Sequence, residues 1–281
     1  MGTVRGPGVG PSRAAAGRLR AAPEKAGHRA RMSGMHIDQY VATLREDGER
    51  LAGVAGQAGL DAPVPPCPGW TIADLLRHLG GVHRWATAHV VMERKEHFSR
   101  DEEQQFFQAP ADAALLDWFR EGHRALTVAL ASADPELDCW TFLPAGSPRE
   151  FWARRQAHET AVHRADAEAA VGSRPRWDPR FAADGIDELL DGFFRRRPQR
   201  LATDPPLRMT LCATDLPRAW TIRMETDRLY VDPGAQPTGL TLTGTASDLY
   251  LLLWNRAEPP SVEGDPAAWE SWRARATVTW G

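Results

Sequence analysis

The chain has 281 residues, of which 25% are charged, and its 34 basic and 37 acidic side chains give a formal net charge of −3 at pH 7. This near-neutral balance gives no reason to expect a nucleic acid or an anionic membrane as a partner. Three widely spaced cysteines, no long apolar run and no apolar segment near residue 1 argue against a disulfide framework, a transmembrane helix and a secretory signal, so we expect a cytoplasmic protein.

Residues 1–34 are rich in Gly, Ala, Arg and Pro and contain a single acidic residue, Glu24. Such a segment buries too little apolar surface to offset its ordering entropy, so we predict a disordered arm. It could be an artefact of start-codon choice, because a normal amphipathic pattern begins at Met35. The rival interpretation is a basic arm that binds nucleic acid.

Four amphipathic helices are predicted next, over residues 37–58, 71–94, 111–132 and 148–171. A proline-rich loop over 63–69 separates the first two, and Thr71 followed by Asp74 has the spacing of a capping box. No strand pattern lies between these helices. Residues 35–172 are therefore predicted to form a four-helix bundle.

The pattern changes after the bundle. Residues 173–204 are predicted to be a linker followed by a connecting helix over 181–194. Beyond Pro205 the apolar period falls from 3.6 to 2, which predicts strands at 207–211, 220–224, 229–231 and 240–242, a helix at 245–254 and a last strand at 277–280. Residues 205–281 are thus predicted to form a small C-terminal α+β domain.

The fourth helix carries the most informative polar pattern. Glu159 and His163 are four residues apart, so both side chains lie on one helix face and can converge on one cation. Asp166 is close enough to orient His163. His158 is five residues from His163 and lies on another face, which excludes the zinc-protease motif. The competing interpretation is an exposed helix on which Glu159 and His163 only hydrogen-bond to each other.

His78, on the second helix, is the predicted third ligand. Two histidines and one carboxylate with an open position are typical of a catalytic zinc site rather than a structural one. His83 and His123 are alternatives, and His78 could instead be a core histidine. Asp74 could orient His78 or only cap the helix. Every histidine lies between residues 28 and 163, so a histidine-bound metal belongs to the helical half.

Other chemistries have weaker support. Cys67 precedes the second helix, whose dipole could lower its thiol pKa, so a nucleophilic cysteine is an alternative, although small buried loop cysteines are commoner. Ser147 and Ser247 lack a His–Asp pattern, and no glycine-rich phosphate loop is present in the sequence. These observations give no support to a serine hydrolase or to a nucleotide cofactor.

Three segments resemble the mycothiol-dependent maleylpyruvate isomerase family, in the same order along the chain. They are Cys67–Gly80 at the entry to the second helix, Glu159–Asp166 on the fourth helix and Gly244–Arg256 in the C-terminal part. The resemblance extends over about residues 36–281. It implies a DinB-like four-helix bundle followed by a C-terminal domain of sterol-carrier-like topology.

The resemblance also implies a site. The family motif maps zinc ligands onto His78, Glu159 and His163 and implies mycothiol as the thiol cosubstrate. A C-terminal arginine serves activity in the family's isomerase, and Arg256 is the candidate for that role. We expect a monomer or weak dimer whose partners are a small electrophile and a low-molecular-weight thiol.

The implied function is that of a metal-dependent isomerase or S-transferase. A metal-bound thiol loses its proton at neutral pH and adds to an electrophilic carbon. Maleylpyruvate carries two carboxylates, for which Arg84, Arg155, Arg164 and Arg256 could supply cations. The alternatives are a non-enzymatic metal-containing protein that binds a ligand or regulates, and a thiol-independent zinc hydrolase.

Overall fold

The computed structural model describes residues 35–196 and 198–276. The predicted arm over 1–34 and the predicted strand over 277–280 lie outside these residues. The helices are α1 (Ile37–Ala58), α2 (Ile72–Val91), α3 (Arg100–Phe106), α4 (Asp112–Ser132), α5 (Pro148–Ala170), α6 (Pro179–Asp187), α7 (Ala246–Leu253) and α8 (Pro266–Arg275). A π-helix (Glu188–Phe193) and two 3-10 turns (Phe194–Arg196 and Pro198–Leu201) follow α6. The strands are β1 (Leu207–Ala213), β2 (Ala219–Met224), β3 (Leu229–Pro233), β4 (Leu240–Gly244) and β5 (Val262–Gly264).

Side-chain caps set the starts of the long helices. Thr71 accepts a hydrogen bond from the Asp74 backbone N–H, and the Asp74 carboxylate accepts one from the Thr71 backbone N–H. This reciprocal capping box satisfies donors that the first turn of a helix leaves unpaired. The Ser147 side chain caps α5 by accepting a hydrogen bond from the Glu150 backbone N–H, and Pro148 occupies the first helical position, where its missing N–H costs nothing. The α2 helix ends at Val91, three residues before the predicted end.

The α5 helix packs mainly against α1 and α2 and also contacts α4. It is buried around almost its whole circumference although many of its side chains are charged. Glu159 is 5% exposed and His163 is 1% exposed, so the interpretation of an exposed helix is wrong. Buried charges require partners. The consequence is a network of ion pairs that joins α5 to its neighbours.

The C-terminal strands form one mixed sheet in the order β3-β2-β1-β4-β5. The β1 strand is antiparallel to β2 and parallel to β4, and the pairing places Met209 beside Ile222 and Leu211 beside Leu242. These four side chains are fully buried and belong to one apolar core with α1, α5, α6 and α7. Because of this shared core, the residues that follow α6 and α7 reach the polar face of α5.

The predicted fold class is confirmed: a helical N-terminal part is followed by an α+β C-terminal part. The prediction missed three short elements, α3, β5 and α8. The predicted connecting helix over 181–194 begins at Pro179 and changes after Asp187 into the π-helix. Among the described helices, none combines the length and the hydropathy needed to cross a membrane.

Candidate metal centre

His78, Glu159 and His163 lie together in the structure. His78 comes from the middle of α2, and the other two occupy successive turns of α5. One potential ligand atom of each residue lies within 4.8 Å of those of the other two. The Nε2 atom of His78 is 3.7 Å from Oε1 of Glu159, and Nε2 of His163 is 3.3 Å from the same oxygen. That this cluster binds a metal stays a prediction.

The donor atoms fit a small divalent cation. The two Nε2 atoms are buried, and neither makes a hydrogen bond. The His78 nitrogen, at 3.7 Å, is too far from Oε1 of Glu159, and the His163 nitrogen, at 3.3 Å, is poorly aligned with it. An unsatisfied buried polar atom is costly to a folded protein. Tetrahedral zinc with bonds of roughly 2.0–2.1 Å would hold its ligand atoms about 3.4 Å apart, close to the two observed nitrogen–oxygen distances.

The orientation of His163 is fixed by a second carboxylate. Nδ1 of His163 lies 2.9 Å from Oδ2 of Asp166, which turns Nε2 towards the cluster. Such carboxylate–histidine pairs are the usual support of a metal-binding imidazole. Asp166 is fully buried and also accepts hydrogen bonds from Nε and Nη2 of Arg256, at 2.9 and 3.1 Å. In this structure Arg256 therefore acts on the cluster through Asp166, and its predicted catalytic role stays a prediction.

The carboxylate of Glu159 is held from its other side. Its Oε2 accepts a hydrogen bond from Nη2 of Arg155 at 3.0 Å, and the same guanidinium donates to Glu188 through Nη1. Arg155 is 1% exposed. The contact occupies one oxygen of Glu159 and leaves Oε1 directed at the two histidines.

The electrostatics of the cluster follow from burial and from these pairs. Burial raises the pKa of Glu159, but His163, His78 and Arg155 outweigh it, so this pKa lies well below its usual value. Burial lowers the pKa of His163, but Asp166 and Glu159 raise it to about 9. The Glu159 carboxylate is thus ionised at neutral pH. Without a metal, His163 is therefore a protonated, positively charged imidazolium at neutral pH, and a metal bound at Nε2 would displace one of its two ring protons.

Aromatic rings border the cluster. The ring of Trp70 is stacked at 6.5 Å from that of His163 and lies 5.2 Å from that of His78. Phe107, which is 40% exposed, lies 6.5 Å from the His78 ring. The His78 side chain is 23% exposed, against 7% for Glu159 and 2% for His163. His78 is therefore the most exposed member of the cluster, although its Nε2 atom is buried.

The other histidines proposed as ligands lie in a different part of the core. Nε2 of His83 is 2.9 Å from the hydroxyl of Thr160, and Nε2 of His123 is 3.0 Å from the carbonyl oxygen of Leu44. These two imidazoles contact each other, with ring centroids 5.6 Å apart. Neither belongs to the cluster.

Cys67 lies beside the cluster but is not a thiolate. Its sulfur is 3.4 Å from Oδ2 of Asp166 and 3.6 Å from Nη2 of Arg256. Burial and the Asp166 carboxylate raise the pKa of Cys67 to about 12, and Arg256 offsets only part of this. The alternative that the helix dipole lowers the pKa of Cys67 and makes it a thiolate at neutral pH is therefore wrong.

The arginines proposed for a substrate carboxylate all have partners within the protein. Arg155 and Arg256 hold Glu159 and Asp166, as described above. Arg84 donates to the carbonyl oxygens of Gly80 and Trp118, and Arg164 donates to Asp47 and Glu168. The contacts of Arg155 with Glu159 and with Glu188 were not predicted from the sequence. The spacing of four residues between Arg155 and Glu159 was the available signal.

Comparison with known proteins identifies the family. Residues 41–168 match the model described as the mycothiol maleylpyruvate isomerase N-terminal domain, and residues 180–271 match that of the MDMPI C-terminal domain. Two similar solved structures are a mycothiol-dependent maleylpyruvate isomerase and a histidine-to-alanine variant, with TM-scores of 0.56 and 0.57. Both are 12% identical to this chain, and each match covers 83% of this chain and 97% of the other.

No match was found among curated proteins. At 12% identity the two solved structures show a common fold and no more. The two family models cover both halves of the chain, in the order that the sequence segments suggested. The chain therefore belongs to the mycothiol-dependent maleylpyruvate isomerase family.

Proposed function

We propose that this protein uses mycothiol to isomerise or S-conjugate a small electrophile, at a divalent metal held by His78, Glu159 and His163, with zinc as the metal that fits best. The observation that carries the proposal is the pair of buried, unpartnered Nε2 atoms on either side of an ionised carboxylate. Family membership supports the thiol and the type of reaction. A cytoplasmic location, where low-molecular-weight thiols stay reduced, belongs to the same proposal.

A zinc ion bound here would supply the positive charge that keeps a thiol ionised at neutral pH. The protein contributes three ligands, which is the number typical of catalytic rather than structural zinc sites. Asp166 fixes the ring of His163, and Arg155 fixes the carboxylate of Glu159. His163 is 1% exposed, with the Trp70 ring nearly parallel to it at a centroid distance of 6.5 Å, and such a buried setting strengthens the local electrostatics.

The reaction balances without an oxidant or a reductant. The thiol gives up its proton, and its sulfur forms a C–S bond with the electrophilic carbon of the substrate. The C=C π bond of the substrate breaks at the same time, and its electron pair moves into the conjugated carbonyl group to give an enolate. In an isomerisation, rotation about the resulting C–C single bond precedes cleavage of the C–S bond; the double bond then re-forms, and the departing thiolate recovers its proton. In an S-conjugation, the enolate carbon takes up the proton and the C–S bond remains in the product.

Metal content gives the first test. The full chain should copurify with stoichiometric zinc, and His78→Ala, Glu159→Ala and His163→Ala should each lose it while retaining most of the helical circular dichroism. Cys67→Ala is the matched control, because Cys67 lies beside the cluster without belonging to it. Stoichiometric zinc in all three alanine variants would refute the metal assignment.

Activity gives the second test. Zinc-loaded protein should act on an electrophile such as maleylpyruvate in the presence of mycothiol, and Cys67→Ala should retain this activity whereas His163→Ala should not. Turnover without any added thiol would point to a zinc hydrolase instead. Ligand binding without turnover would point to a non-enzymatic binding protein.

A further inference from the structure

A buried row of three charged side chains connects the cluster to the π-helix. Oε2 of Glu159 accepts a hydrogen bond from Arg155, and Arg155 also donates to Oε2 of Glu188. The three side chains are 7%, 1% and 2% exposed, in that order. Glu159 and Arg155 come from α5, whereas Glu188 is the first residue of the π-helix. A residue that follows the bundle is thus in indirect contact with a candidate metal ligand.

The carboxylate of Glu188 affects how much of the negative charge of Glu159 is available to a cation. A buried guanidinium needs nearby negative charge, because its desolvation is costly. If Arg155 had only Glu159 as a partner, it would draw on the full charge of that carboxylate. Glu188 is a second carboxylate partner of Arg155. Arg155 therefore contacts only Oε2 of Glu159, and Oε1 stays directed at the histidines.

The π-helix geometry explains how one short segment holds Arg155. In an α-helix, residues five apart point about 140° away from each other. The i→i+5 hydrogen bonding of a π-helix brings such residues to one side, and π-helical turns are frequent at functional sites. Glu188 and Phe193 are the first and last residues of this segment. The Phe193 ring lies 5.0 Å from Cζ of Arg155, and the Trp254 ring lies 5.7 Å away.

We infer that the Arg155–Glu188 pair positions the Glu159 carboxylate as a metal ligand, and that the π-helix exists to hold this pair. The inference rests on the proposed function, because it assigns Glu159 a metal to bind. It makes Arg155 and Glu188 positioning residues that act through Glu159. The segment that connects the bundle to the C-terminal sheet would then complete a centre whose three ligands all come from the bundle.

A neighbouring ion pair supplies a matched control. Arg154, also on α5, donates from Nε and Nη2 to the side chain and backbone oxygens of Asp184 on α6, both at 2.8 Å. This pair joins α5 to α6, whereas Arg155 and Glu188 join α5 to the π-helix that directly follows α6, and it does not contact the cluster. A purely structural role would make the two pairs equivalent.

The experiment compares Glu188→Gln with Asp184→Asn in the full chain. Zinc affinity is measured by competition with a chromophoric chelator, and the coordination geometry by the visible absorption of the cobalt(II)-loaded protein. Glu188→Gln should leave Arg155 with Glu159 as its single carboxylate and so weaken zinc binding about 10–100-fold, as the loss of groups that hold a metal ligand does, and it should shift the cobalt spectrum. Asp184→Asn should lower the Tm but leave the zinc affinity and the cobalt spectrum as in the wild type.

Two further variants test the inference if Glu188→Gln does not fold. Arg155→Lys keeps the charge but lacks the planar fork that binds two carboxylates, so it should weaken zinc binding in the same direction. Phe193→Leu should do so to a smaller extent. The inference is overturned if folded Glu188→Gln, or these two variants in its place, match the wild type in zinc affinity and cobalt spectrum. Failure of the wild type to bind either metal would instead overturn the proposed function, and this inference with it.

Discussion

The Asp166→Asn variant tests the carboxylate that joins α5 to the C-terminal part of the chain. Asp166 accepts hydrogen bonds from His163 and from two nitrogens of Arg256. An asparagine has nearly the same shape, but it removes the negative charge and places an N–H group where donors already converge. The variant therefore leaves Arg256 buried without a counter-ion.

Two estimates give the expected size of the loss. The Arg256 side chain is 7% exposed, and breaking a buried ion pair from one side costs about 3–5 kcal/mol. Burial raises the pKa of Asp166, but His163 and Arg256 outweigh it and lower the value to about 2. Measured from the ordinary value of 3.8, this shift corresponds to about 2 kcal/mol in favour of the ionised folded state. We expect the free energy of unfolding to fall by about 2–5 kcal/mol.

Urea unfolding of the metal-free protein at pH 7 measures this loss. The double variant Asp166→Asn/Arg256→Met no longer contains the unpaired guanidinium, so it should be more stable than Asp166→Asn alone. The reasoning is refuted if Asp166→Asn stays within about 0.5 kcal/mol of the wild type, as an ordinary surface substitution does. It is also refuted if removal of the Arg256 charge restores no stability.

Two further predictions concern stability. Burial raises the pKa of Asp184, but His158 and Arg154 outweigh it and hold the value below 3.8. A lowered pKa stabilises the folded state above about pH 4, and this stabilisation is lost as the pH falls. Between about pH 5 and pH 3, Asp184→Asn should therefore lose less unfolding free energy than the wild type does. An equal loss in both proteins would contradict this. Gly48→Ala would place a methyl group against the buried His123 ring and should cost about 1–3 kcal/mol in thermal unfolding, whereas an unchanged Tm would show that the ring can move.

The features that the sequence predicted well are local ones. The four long helices follow from apolar periodicity and from caps such as Thr71 and Ser147, which lie next to the residues they cap. The juxtaposition of Glu159 and His163 follows from their spacing of four residues alone. The choice of His78 over His83 and His123 could not be made from spacing, because it depends on how α2 packs against α5. His78 was predicted with these two alternatives open, and the family resemblance then mapped a ligand onto the same residue.

The features that were missed depend on distant contacts or on weak local signals. Glu188 contacts Arg155 across 33 residues of sequence, and no periodic pattern links them. The predicted helix over 181–194 gave no indication of its π-helical turn. The seven-residue α3 is almost entirely polar, and its only signal was the capping box formed by Ser99 and Glu102. The burial of the charged helix α5 becomes predictable only once its ion-pair partners are known.

The most direct test of the metal centre is a crystal structure of the zinc-loaded protein with diffraction data collected on both sides of the zinc absorption edge. We expect one anomalous peak at roughly 2.0–2.2 Å from Nε2 of His78, Oε1 of Glu159 and Nε2 of His163. The account is contradicted if the zinc peak lies elsewhere, or if these three side chains show no anomalous density between them.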